Sequence, residues 1–97
     1  MNIRVQSVKF DADVKLLEFV DKKVGKLEKF YDEITGIEVT LALLPDNDNK
    51  DVKIKVKTAG KDLYIERNAS TFEDAIVDCV DVLKPQLVKI KEKKRGM

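Results

Sequence analysis

The chain has 97 residues, 43% hydrophobic and 38% charged, with a net charge of +1. That length supports a single domain over residues 1–97, with one modest core and no need of a disulfide or structural metal. There is no histidine, only one cysteine (Cys79), and no apolar run near the ~20 residues of a membrane helix; this excludes histidine-dependent nucleophilic catalysis, the common zinc sites and an internal disulfide.

The N-terminal stretch MNIRVQSVKF lacks a signal-peptide core. With the lone thiol, it fits a cytoplasmic protein. Residues 2–6 alternate as a strand with Ile3 and Val5 inward. A helix is expected from Val14 to about Tyr31, with Asp11 or Asp13 as N-cap. Leu16, Val20, Val24, Leu27 and Tyr31 form its apolar stripe, widened by Leu17 and Phe30. Gly25 weakens this helix slightly and would permit close packing. EITG breaks the helix, and residues 37–44 alternate as a second strand. PDNDNK is a turn-rich loop. VKIKVK, residues 52–57, places Val52, Ile54 and Val56 inward and Lys53, Lys55 and Lys57 outward. After a tight AGKD connection, LYIERNA makes a fourth strand.

The last element carries the strongest pattern. Ser70-Thr71-Phe72-Glu73 fits a capping box with Ser70 as N-cap. Phe72, Ala75, Ile76, Cys79, Val80, Leu83, Leu87 and Ile90 then follow one helical face. Pro85 interrupts it, and a kink is expected there. Because Leu87 and Ile90 keep the apolar register, the basic terminal stretch QLVKIKEKKRG reads as helix to about Ile90, overhanging the core beyond that point. The element order is β-α-β-β-β-α. This α+β fold should have a four-stranded sheet with both helices packed on one face.

Charge is unevenly spread. Residues 82–97 carry +5, from Lys84, Lys89, Lys91, Lys93, Lys94 and Arg95 against Glu92, while residues 1–81 carry −4. Two or three cations would complement a helix C-terminus at roughly 0.3–1 kcal/mol each. Six exceed that need, so both a solvated helix end and an anion-binding surface stay open. Lys22, Lys23, Lys26 and Lys29 form a second basic surface, whose plain reading is a solvated face with i,i+4 pairs such as Glu18 with Lys22. If the helices lie side by side, the two sets would merge. The Lys53–Lys57 row is the ordinary outer side of an amphipathic strand, and Tyr64 alone does not make the aromatic pair of a base-stacking sheet. Asp46, Asp48 and Asp51 lack the glycine and bidentate glutamate of a calcium loop. Cys79 belongs to the core face. The residues compose no catalytic constellation, metal site or cofactor motif.

Two stretches carry a family resemblance. EFVDKKVGKLEKFYDEI (18–34) resembles the first-helix signature of the bacterial hibernation-promoting factors, also called ribosome-associated inhibitors, ribosomal subunit interface proteins or sigma-54 modulation proteins. TFEDAIVDCVDVLKPQLVKIKEKKR (71–95) resembles their second helix. The family's fold is similar to double-stranded-RNA-binding domains. The resemblance implies a non-enzymatic translation inhibitor that binds the small ribosomal subunit at the decoding region. It would block tRNA and mRNA sites in idle ribosomes, with no small-molecule substrate, no membrane and a monomeric state off the ribosome. Lys23, Lys26, Lys89, Lys91 and Lys93 would contact 16S rRNA phosphates, with Lys22, Lys29, Lys84, Lys94 and Arg95 nearby. The chain departs from the pattern at Thr71-Phe72-Glu73, where an Asp-x-Tyr motif occurs in some members, and at Pro85, where a basic residue is common. The resemblance is to the family's short form, so a protein lacking the long form's ribosome-dimerising C-terminal domain is expected. The alternative is an interaction module docking an acidic partner, such as a transcription regulator, through its basic C-terminal helix.

Overall fold

The computed structural model describes residues 2–45 and 49–95, with the side chains of Lys94 and Arg95 outside the described set. The elements are β1 (Asn2–Val8), α1 (Val14–Gly25), β2 (Ile34–Leu43), β3 (Lys50–Thr58), β4 (Leu63–Ala69) and α2 (Phe72–Arg95). They form one sheet in the order β1-β2-β3-β4. β1 runs parallel to β2, with Ile3 opposite Ile37 and Val5 opposite Val39. β2, β3 and β4 make an antiparallel meander. This is the expected α+β order. Of the acidic loop considered for calcium, Asp46 and Asp48 lie outside the described residues.

The sheet's inner face supplies Ile37, Val39, Leu41, Val52, Ile54, Val56, Leu63 and Ile65, and the helices cover it with Val20, Val24, Leu27, Ile76, Cys79, Leu83 and Leu87. Each buried Leu or Ile contributes about 1.5–3 kcal/mol by leaving water. Phe10 stacks on Phe72 with ring centroids 4.9 Å apart, closing the core where the helices begin. The chain reaches that stack through Lys9, held at φ 68°.

Several boundaries differ from the sequence reading. Of the two cap candidates Asp13 takes the role, accepting the Leu16 N–H at 2.8 Å. The α-helix ends at Gly25, not Tyr31, and tightens into a 3₁₀ turn over Lys26–Lys29. A methyl group at Gly25 would sit 3.9 Å from Ile3 Cδ1, an ordinary contact, so close packing does not require the glycine. Its low helix propensity marks the transition instead. Leu17 is 39% exposed and does not widen the stripe. β2 starts three residues earlier than expected, at Ile34. A β-bulge between Ile34 and Gly36 inserts one residue, so Ile34 and Ile37 both point inward despite their odd spacing. In α2 the N-cap is Thr71, not Ser70; its Oγ1 accepts the Asp74 N–H at 3.1 Å. The helix runs through Pro85, which is exposed, to Arg95.

Candidate nucleic-acid interface

The helices run in the same sense. Phe10, Asp13, Leu16 and Phe19 share a groove with Glu73 at the start of α2, while Lys26, just beyond α1, lies near Lys84 midway along α2. Their macrodipoles therefore add: acidic residues stand at the shared N-terminal end and lysines toward the C-terminal end.

Lys22, Lys23, Lys26, Lys29 and Lys84 come together as one cluster. The pKa of Lys26 is lowered, first by the charge of Lys23, then by partial desolvation, then by Lys22, Lys29 and Lys84. Lys26 is an exposed residue and still feels four like charges, so positive potential is concentrated here. Two aromatic rings position the cluster. Lys23 Nζ lies 5.6 Å from the Phe19 ring centroid, and Lys84 Nζ lies 5.6 Å from that of Phe30. The suggested Glu18–Lys22 pair does not form; among the described residues the ion pairs are Lys55–Asp62 and Lys57–Glu38, both on the sheet.

The two basic sets merge only in part. Lys84 faces the α1 flank, and Lys91, two turns further, continues its stripe. Lys89 and Lys93 lie on the opposite flank of α2, in a groove with Lys61, Leu63, Gln86 and Ile90. The side chains of Lys94 and Arg95 lie outside the described residues. Lys61 was missed by the sequence reading. It stands in the β3–β4 turn, 28 residues before Lys89, and no periodicity connects the two.

The open sheet face behaves differently. Lys57 Nζ approaches Glu38 at 3.3 Å and Lys55 Nζ approaches Asp62 at 3.9 Å. Tyr64 is 60% exposed opposite Lys55, without a second ring on the neighbouring strand. Asp51 is only 3% exposed. Burial raises its pKa, and a hydrogen bond and repulsion from Glu66 add to the rise. Cys79 is fully buried, with Sγ 3.8 Å from the Val52 carbonyl, and burial pushes its pKa up to about 12. It is a core residue, as expected. No group of three or more metal-ligating side chains occurs among the described residues, and no described helix is long and apolar enough to cross a membrane.

Comparison with known proteins adds an independent line. Residues 3–95 match the family model described as sigma 54 modulation protein / S30EA ribosomal protein. A ribosome hibernation promoting factor of Azotobacter vinelandii is 24% identical over 93 residues, covering 96% of this chain and 85% of the relative. A ribosomal subunit interface protein from Coxiella burnetii superposes with a TM-score of 0.81 at 23% identity, covering 95% of this chain and 99% of that one. The N-terminal domain of Thermus thermophilus Protein Y gives a TM-score of 0.81 at 23% identity, covering 93% and 99%.

Proposed function

Because the chain belongs to the sigma 54 modulation protein / S30EA ribosomal protein family, we propose that it is a non-enzymatic, ribosome-associated hibernation factor. It binds the small subunit at the decoding region and occludes tRNA and mRNA. The observation that supports this reading is the lysine cluster built by α1, the 3₁₀ turn and α2. It consists of cations that no carboxylate of the described residues neutralises. A ribosomal surface offers such a cluster a dense array of phosphates. Contacts of that kind set affinity and orientation more than sequence choice, and they weaken with salt.

The mechanism is steric. Lys22, Lys23, Lys26, Lys29, Lys84 and Lys91 meet 16S rRNA phosphates on one flank of α2, with Lys89 and Lys93 on the other. The covered sheet behind them supplies rigidity. No bond is made or broken, so inhibition reverses when the protein leaves.

The test is co-sedimentation of the purified chain with isolated small subunits across a salt series, with tRNA as competitor. Binding that falls with both salt and tRNA is expected. Reversing Lys89, Lys91 and Lys93 to glutamate should abolish it while circular dichroism stays unchanged; undiminished co-sedimentation of that variant would overturn the proposal. Capture that survives RNase treatment would instead indicate an acidic protein partner.

A further inference from the structure

The groove on the β4 flank of α2 differs in kind from the open lysine cluster. Its base is the β3–β4 turn. There the Lys61 N–H donates to Thr58 Oγ1 at 2.9 Å, and the Thr58 hydroxyl donates back to the Lys61 carbonyl. The pair of bonds fixes the backbone from which the Lys61 side chain projects. Leu63 and Ile90 form an apolar floor, and Lys61, Gln86, Lys89 and Lys93 stand around it, all four exposed. No carboxylate of the described residues lies within ion-pair distance of these three ammonium groups. Asp62, next in sequence to Lys61, turns to Lys55 on the other face. β4 is an edge strand, so nothing in the sheet closes this side.

We propose that this groove seats one unstacked nucleotide of single-stranded RNA, separate from the phosphate-tracking cluster on the α1 flank; the inference rests on the ribosome reading above for its biological setting. A splayed base brings an apolar face, a polar edge and two flanking phosphates. Leu63 and Ile90 meet the face. The Gln86 amide, both donor and acceptor, meets the edge. Lys61, Lys89 and Lys93 meet the phosphates. A duplex keeps its bases stacked and would leave the floor and the amide unused. An acidic peptide would engage the lysines alone.

The experiment titrates the isotope-labelled full chain with a ten-nucleotide single-stranded RNA of mixed sequence, a duplex of the same length and poly-glutamate, reading backbone amide shifts. Single-stranded RNA should move Lys61, Leu63, Gln86 and Ile90, and the duplex should move chiefly Lys22, Lys23, Lys26 and Lys84. Lys61→Glu, which removes a phosphate contact, and Gln86→Ala, which removes the base-edge contact, should each weaken single-strand binding at least about fivefold, the scale of one lost hydrogen bond. Lys61 is exposed and the turn's bonds are backbone-anchored, so an unchanged melting curve controls for folding. Shifts confined to the α1 flank with every RNA, or equal groove shifts from poly-glutamate, would overturn the assignment. Small-subunit binding separates the two readings. Loss with Lys26→Glu/Lys84→Glu but none with Lys61→Glu removes the groove and keeps the hibernation factor. Groove shifts with single-stranded RNA but no particle binding by the parent chain support the groove and remove the ribosome reading.

Discussion

The open sheet face and the helical face both carry rows of lysines but use them differently. On the sheet, Lys57 and Lys55 face Glu38 and Asp62 across strands, and Lys53 sits opposite Glu66. On the helices, Lys22, Lys23, Lys26, Lys29 and Lys84 face one another and depress the pKa of Lys26. The first arrangement spends its charge internally; the second leaves it available to an outside anion. A count of lysines per element cannot tell these apart. What separates them is the pairing register, which brings acids opposite bases in the meander, and the parallel packing of two helices, which brings bases beside bases.

The largest expected effect tests that contrast directly. Lys23→Glu/Lys26→Glu/Lys84→Glu should reduce small-subunit binding below detection at physiological salt. Lys53→Glu/Lys55→Glu/Lys57→Glu should leave it within about threefold, since screening over a Debye length of about 8 Å mutes charges on the far face. Sedimentation of both triple variants decides the matter, and equal loss would erase the distinction between faces. Next is the mounting of the helical charges. Leu87, fully buried in the second half of α2, should cost about 2–5 kcal/mol on truncation to alanine. Urea unfolding measures this, and binding should weaken in proportion to the unfolded fraction.

Smaller effects sharpen the sheet side. Asp51 has a raised folded-state pKa, so its ionised form opposes folding at neutral pH, and that penalty is relieved as pH falls. Asp51→Asn should therefore raise the melting temperature at pH 7, with an amide donating to Glu66 in place of the shared proton. The advantage should shrink as pH falls through the raised pKa of Asp51 and vanish below the ordinary aspartate range; an advantage that persists at acid pH would refute this origin. Least of all, Glu38→Gln should change stability by roughly 0–1 kcal/mol, as exposed pairs do. Lys57 stays on the far sheet face, away from the proposed phosphate contacts, so the salt dependence of RNA binding should not change.

Much of this was legible in the sequence because α2 and β3 follow clean periods. All eight residues of the α2 stripe reach the core, Ile90 the least buried of them. The errors arose where one residue breaks a period. At Gly25 the backbone tightened, and Tyr31 still reached the core from beyond a 3₁₀ turn. Between Ile34 and Gly36 a bulge absorbed a residue that strict alternation would have placed on the wrong face. Ser70 and Thr71 are chemically near-equivalent caps, and the choice is set by where the chain leaves β4. Among site residues, the rows on each helix were readable. The split of Lys84 from Lys89 and Lys93 needed the neighbours of α2, and Lys61 enters only because β4 brings its turn alongside the helix.

The buried thiol of Cys79 has a practical consequence. It sits in the seam between α2 and β3, against the Val52 carbonyl, with a pKa near 12. Burial and the raised pKa leave almost no thiolate at neutral pH, so the Cys79 thiol of the folded chain is protected from oxidation and disulfide exchange. Reactivity returns only when α2 lifts from the sheet. The chain's one sulfhydryl is therefore a built-in clock: the rate at which an alkylating reagent consumes it counts the openings of the platform that carries the lysines, and a ligand gripping both helices should slow that clock.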